Sequence, residues 1–337
     1  MSIFYSLIAV LFLSALGYFG GAIASVRIFF GVIAPYAAIV IFLAGIVHRV
    51  VGWANSPVPF RIPVSCGQQK SLSWIKSSRL DNPSTALGAV ARMALEIVFF
   101  RSLFRNTKAE LKKGPRLVFG ENKFLWLGAL AFHWPFLFIL LRHLRFFLEP
   151  VPGWVLFAQN LDGFFQIGSP ALYATDLIMS AALLYLLLRR ILDLRVRYIS
   201  LFTDYFALFL LIGLAASGVL MRYFYKTDIM AVKQLAQGLV NLAPVVPEGI
   251  GAIFFMHLFL LSALIAYLPF SKLMHMGGIF LSPTRNLANN NRSKRHVNPW
   301  NYPVKIHSYE EWEEEFRDKI IASGLPLDTT RQRIGDD

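Results

Sequence analysis

Cysteine is all but missing: Cys66 is the single one in 337 residues. One thiol excludes a disulfide within the chain and any all-cysteine iron–sulfur cluster built by this chain alone. Charged residues are scarce, 16% against 56% hydrophobic, too few to clothe a soluble core. There is no nucleotide-binding glycine pattern, no internal repeat and no stretch that reads as a soluble catalytic domain. The N-terminal stretch MSIFYSLIAVLFLSALGYFGGAIAS has no basic n-region, and its apolar run is too long for a signal-peptide core. It reads as a retained transmembrane helix. Basic residues are also missing from one connection in particular: residues 148–168 hold neither Lys nor Arg.

What is present is apolar length. Runs of about 20 apolar residues recur, each long enough to cross about 30 Å of hydrocarbon. Spans at roughly 3–24, 31–52, 121–147, 169–189, 199–222 and 249–270 predict an all-α integral membrane protein with six transmembrane helices. The net charge of +13 is spread unevenly. The 53–120 loop carries Arg61, Lys70, Lys76, Arg79, Arg92, Arg101, Arg105, Lys112, Lys113 and Arg116. The turn RRILDLRVR holds four Arg, and the tail holds NNNRSKRH. By the positive-inside rule these segments and both termini are cytoplasmic, while 148–168 and 223–248 face outward. The basic excess therefore reads as membrane topology and not as nucleic-acid binding, and the place is the cell (cytoplasmic) membrane, crossed several times.

Two segments outside the spans carry helix signals. Residues 84–105, STALGAVARMALEIVFFRSLFR, predict one helix capped by Ser84 or Thr85. Its charges interrupt the apolar run too often for a span. An amphipathic helix in the membrane interface or under a partner fits, as does a simple anchor against the bundle. In the tail, Ser308 and Glu311 make a capping box, and Tyr309, Trp312, Phe316 and Ile320 recur at three- and four-residue spacing. Such a stripe on a Glu-rich helix predicts docking of a soluble partner through Trp312 and Phe316. Cys66, in the long loop, is a further candidate for that interface.

Four of the seven histidines lie in or just past apolar spans. His133 and His143 are 10 residues apart, and His257 and His275 are 18 apart. Ionisable groups there are costly and mark function. Neutral imidazole is a ligand of haem iron, and two of them give a six-coordinate site for electron transfer. Span three runs outward and span six inward, so the antiparallel match is His143 with His257 near the outer face and His133 with His275 near the inner one. The five turns between His257 and His275 put both on one helix face. The nominal 27 Å between them exceeds about 15 Å on span three, which predicts splayed helices or a bend after Pro269. His48 sits beside Arg49 and is not counted as a ligand; His296 and His307 lie in the tail. Candidate partners for haem propionates are Arg142, Arg145 and Arg222 at the outer face and Lys272, Arg189 and Arg190 at the inner one. Asp176 and Asp204 are buried-acid candidates for hydrogen bonding or proton handling.

The stretch FFMHLFLLSALIAYLPFSKLMHM, with its 18-residue histidine spacing and the 10-residue spacing before it, resembles the haem b gamma subunit of respiratory nitrate reductase. LYLLLRRILDLRVRYISLFTDYFALFLLIGLAASG resembles that subunit's middle helices. The resemblance spans about residues 28–285. Three departures, an extra N-terminal span, a long loop with FRIPVSCGQQKSLSW and a longer acidic tail, look like the DsrM family, cytochrome b subunits of the DsrMKJOP membrane complex associated with sulfite reduction. That resemblance implies two haem b groups, with menaquinone as substrate, and a cytoplasmic iron–sulfur partner of the DsrK type. It also implies a periplasmic cytochrome c, a periplasmic iron–sulfur protein and a second membrane subunit. The gamma subunits place a Lys in the connection that is FAQNLDGFFQIGS here. This chain has none, and Asp162 and Glu149 are the local candidates for a quinol-site acid.

The resulting division is an extra helix over 1–27, a dihaem membrane domain over 28–277 and a partner-docking tail over 278–337. Rival readings are a subunit of another quinone-linked complex of the nitrate reductase or heterodisulfide reductase type, a haem-free proton-coupled transporter, and a non-redox anchor.

Overall fold

Long apolar helices dominate the chain. A computed structural model describes residues 1–56, 78–114, 116–165, 171–289 and 307–328. Helix α1 covers Ser2–Ala22, and α2, Ala34–Ala54, follows a short 3-10 turn and a π-helical turn. Beyond the loop come α3 (Ala86–Phe99) and α4 (Arg101–Phe104), then a hairpin of β1 (Thr107–Lys112) and β2 (Arg116–Glu121). α5 is Lys123–His143 and α6 is Gly153–Asp162. A second small ribbon pairs β3 (Gly163–Phe165) with β4 (Leu172–Tyr173). α7 (Ala174–Leu192), α8 (Leu194–Ile199), α9 (Phe202–Val219) and α10 (Ile229–Val240) lead to α11 (Ala252–Tyr267). The short helices α12 (His275–Leu281) and α13 (Pro283–Asn286) follow, and α14 (Tyr309–Ala322) lies in the tail.

Among the described residues five helical stretches are long and apolar enough to cross a membrane: Ser2–Ala22, Ala24–Ala54, Lys123–Phe146, Phe202–Phe224 and Ala252–Phe270. α7, at 19 residues, carries Asp176 in its first turn and Arg189 and Arg190 in its last. The chain is thus a mostly helical multi-span membrane protein, with two small hairpins added to the expected all-α frame.

α9 is the central post. One core, Val10, Tyr205, Phe209, Leu210, Leu260 and Leu264, joins it to α1 and α11. A second, Met179, Leu183 and Leu208, joins it to α7, with Phe132 and Ile139 of α5 packed alongside. A third, Phe30, Ala231, Leu235, Ile250 and Phe255, seats α10 against α11. Glycine lets α1 approach α11: a Cβ on Gly21 would sit 2.4 Å from the Phe255 Cβ, and one on Gly17 3.0 Å from the Met256 Cα. Small residues four apart on a helix allow that closeness in a membrane.

Four expectations need correction. The 84–105 helix is broken: Phe100 takes a left-handed backbone, φ 51 and ψ 48, and ends α3. No Gly or Pro announces this stop; tertiary contacts described below impose it. The third span starts at Lys123 because residues 116–121 pair into the hairpin. The fourth helix starts at Ala174, since Leu172 and Tyr173 are extended. The last span is not one continuous helix to His275. It passes at Leu268–Phe270 into a 3-10 turn, reaches extended backbone at Ser271 (φ −109, ψ 173), and turns again before α12. The bend thus falls next to Pro269, and the shared-face argument for His257 and His275 does not hold.

Candidate functional site: two histidine pairs

α5 presents His133 and His143, and the segment from α11 to α12 presents His257 and His275. In every case Nδ1 is already engaged. That of His133 lies 2.8 Å from the Ala129 carbonyl, and that of His143 lies 2.7 Å from the Ile139 carbonyl. In His275, Nδ1 lies 2.9 Å from the Lys272 carbonyl. A carbonyl only accepts, so these three Nδ1 atoms donate. His257 meets the Ser217 hydroxyl at 2.8 Å, and that hydroxyl gives its one proton to the Leu214 carbonyl at 2.9 Å. Ser217 therefore accepts from His257 Nδ1. All four neutral imidazoles keep an unprotonated Nε2, the form a metal requires.

One pair of rings meets directly. His133 and His275 have centroids 6.0 Å apart and planes at 85°. His143 lies within electrostatic reach of His257. Beside His257 a Cβ on Gly218 would meet only the His257 Cε1, at 3.7 Å, so that flank is open. A donor set of two neutral imidazoles per site, on helices held apart, fits haem iron. Among the described residues no cluster of three or more His, Cys, Asp or Glu forms a different metal site.

Next to His143 lies a buried polar network. Arg142 reaches Asp162 Oδ2 at 3.1 Å, Asp176 Oδ1 at 2.9 Å and the Thr175 hydroxyl at 3.2 Å. Asp162 accepts from the Thr175 backbone N–H at 2.9 Å and from its hydroxyl at 2.6 Å. Tyr223 donates to Asp176 at 2.9 Å and accepts from the Tyr173 N–H at 3.1 Å. The guanidinium carbons of Arg142 and Arg222 lie 3.8 and 3.7 Å from the Tyr173 ring centroid. Two cations that close must take opposite faces of the ring. Nε of both arginines is buried without a partner, two spare donors in this network.

The other predicted residues are placed as follows. Arg145 donates to Gln159 at 2.8 Å, and Arg222 to the Ala171 carbonyl at 3.0 Å. Lys272 pairs with Asp204 at 2.9 Å; Arg190 donates to Ser200 at 2.8 Å and stands 3.7 Å from Asp204. Arg189 is half-buried in the last turn of α7. Asp162 is not an exposed loop acid, since it is buried against Arg142. Glu149 is exposed and paired with Lys233 of α10. A shallow, open cavity of about 220 Å³ is lined by Trp134, Pro135, Phe138 and Leu161 together with Asp162 and Thr175. In α14 the capping box forms, and Trp312, an exposed residue, lies obliquely between Tyr309 and Phe316. Cys66 lies outside the described residues.

Sequence reasoning did not single out Ser217, Thr175, Tyr173, Tyr223 or Lys233. A Ser in an apolar span is a weak signal, and Ser6, Ser14, Ser180 and Ser262 give the same one. The rest act only once α6, α7, α9 and α10 come together.

A multi-span bundle holding paired histidines with free Nε2 atoms defines a cytochrome b-like class of membrane subunit. Residues 93–292 match the nitrate reductase gamma subunit family, and the chain belongs to it. It is 47% identical over 282 residues to the Hdr-like menaquinol oxidoreductase cytochrome b-like subunit of Archaeoglobus fulgidus, covering 82% of this chain and 84% of the relative. The subunit of the same description from Archaeoglobus profundus is 41% identical over 273 residues, covering 79% of this chain and 81% of the relative.

Proposed function

We propose that the chain is a bis-histidyl dihaem cytochrome b that exchanges electrons between menaquinol and a cytoplasmic iron–sulfur subunit. The observation that carries this reading is the set of four imidazoles, each with Nδ1 engaged and Nε2 free. α7 is the sixth span, and the basic loops place both termini in the cytoplasm. His143 and His257 hold the outer haem, and His133 and His275 the inner one. Bound haem supplies reversible one-electron chemistry. Arg142 and Arg222 offer their spare Nε donors at the outer pair; Lys272, Arg189 and Arg190 supply positive charge at the inner end.

The cavity walled by Trp134, Pro135, Phe138 and Leu161 suits a quinone ring, with Thr175 and Asp162 as its polar end. Quinol oxidation needs a proton acceptor within hydrogen-bond reach. Asp162 is held there by Arg142 at 3.1 Å. Glu149, paired with Lys233, is the acid nearer water.

The names of the two Archaeoglobus relatives support a heterodisulfide-reductase-type partner over the sulfite-reduction-associated complex. The DsrK-type cytoplasmic subunit is common to both readings. A periplasmic cytochrome c, a periplasmic iron–sulfur protein and a second membrane subunit belong to the sulfite-reduction reading. Trp312 and Phe316 are the proposed docking residues of the tail.

The test is a pyridine haemochrome assay with a reduced-minus-oxidised spectrum on the full chain and on His143→Ala and His275→Ala. Two b haems per chain, one lost in each variant, and reduction by a menaquinol analogue are expected. A colourless chain, expressed with ample haem, would overturn the reading.

A further inference from the structure

Phe100 is a bulky residue in the left-handed backbone region, φ 51 and ψ 48, where side chains other than Gly are strained. Its surroundings impose this. The buried Glu96 carboxylate accepts from the Ser102 N–H at 3.0 Å and from the Ser102 hydroxyl, and Arg285 of α13 reaches it at 3.3 Å. The Phe100 N–H donates to the Glu96 carbonyl at 3.1 Å. The two free carbonyls before it are caught from α5: Trp134 Nε1 donates to Val98 at 3.1 Å and Trp126 Nε1 to Phe99 at 2.7 Å. The C-terminal end of α3 is thereby pinned to α5. The turn it makes at residue 100 delivers the Phe100 ring edge-on to His133, with centroids 5.0 Å apart and planes at 77°. Phe132 meets the same imidazole at 4.9 Å and 79°, and His275 faces it at 6.0 Å.

We infer that Phe100 is a positioning residue of the His133–His275 pair, fixing the plane of the His133 imidazole from the loop that joins the second and third spans. The His133 ring has one hydrogen bond, to Ala129, which sets its tautomer but leaves rotation about that axis to packing. Phe100 and Phe132 bound the rotation. A backbone held against its preference beside a ligand is expected where geometry serves function. This inference rests on the proposed haem at that pair.

The test uses the full chain in membranes. Phe100→Gly keeps the left-handed backbone and removes the ring; Phe100→Leu keeps apolar bulk; Phe100→Tyr restores the aromatic edge. The readouts are haem count, redox titration and the low-temperature electron paramagnetic resonance of each low-spin haem. The inner signal is assigned as the one absent in His275→Ala. Phe100→Gly and Phe100→Leu are expected to keep two haems, shift the midpoint potential and resonance of the inner one, and leave the outer one alone, with Phe100→Tyr returning both. Two haems with an unmoved inner signal in either variant would overturn the inference while leaving the proposed function intact. A wild-type chain without haem at this pair would overturn both, and the haem count alone tells the two failures apart.

Discussion

Ser217 accepts a hydrogen bond from His257 Nδ1 at 2.8 Å, and its direction is set by the bond Ser217 itself gives to Leu214. One hydroxyl in α9 thus chooses the tautomer of an imidazole in α11. Partners of this kind typically change metal affinity by about 10–100-fold when removed. Ser217→Ala is expected to lower haem occupancy by that order and to move only the outer midpoint potential. Equilibrium haem titration of the apoprotein and redox titration check it.

Arg142 neutralises two acids at once. Arg142→Ala leaves the buried Asp162 and the part-buried Asp176 without their cation, a loss of about 3–5 kcal/mol for breaking such a cluster. The expected result is a lower unfolding temperature and poor membrane accumulation. Arg142→Ala combined with Asp162→Asn and Asp176→Asn should recover part of it, measured by thermal unfolding in detergent.

In the loop between the second and third spans Asp81 pairs with Arg101 and Arg105, and this link depends on pH. Burial alone raises the Asp81 carboxyl, but hydrogen bonds from Arg101, Arg105 and Ser78 outweigh it and hold it at about 2, below the ordinary 3.8. Because the folded value is depressed, the stabilisation is fully present above the ordinary value and is lost as pH falls toward 2. Pepsin sensitivity of the segment around residues 78–105 should therefore rise between about pH 4 and 2. In Asp81→Asn it should already be high at pH 5 and nearly flat below.

Each indole cap on α3 is a removable hydrogen bond. Trp126→Phe and Trp134→Phe keep the ring bulk and strip the donor, leaving the Phe99 or Val98 carbonyl without its indole. The expected cost is about 1 kcal/mol for each. Hydrogen exchange of α3 amides should quicken in both variants.

The glycine face of α1 gives a steric prediction. Gly21→Leu drives side-chain carbon into Phe255, where a bare Cβ already lies at 2.4 Å. α1 should then detach from α11 while the histidine pairs persist. A loss of thermal stability with an unchanged absorption spectrum would show it.

The sequence carried the spans and the histidine spacings because apolar length and intramembrane His are local signals. Asp162 was legible as a residue but not in its setting. It reads as an exposed loop acid until Arg142, from another helix, is laid against it. The stop at Phe100 was illegible for a similar reason. FFRSLF contains no helix breaker, and the cause lies in Glu96, Arg285 and two tryptophans remote in sequence. The 107–121 hairpin does leave a sign in Gly114, whose turn has φ 88, but it is set among Lys112, Lys113 and Arg116, which read first as loop charge.

The break between Tyr267 and His275 gives the two pairs different mechanical supports. His257 is fastened to a straight rod clamped on both sides by α1 and α9. His275 hangs from a string of short turns moored to the loop, through Arg285 on Glu96 and the Asn289 N–H on the Pro83 carbonyl at 2.6 Å. A pull on the loop is geared to one imidazole and insulated from the other.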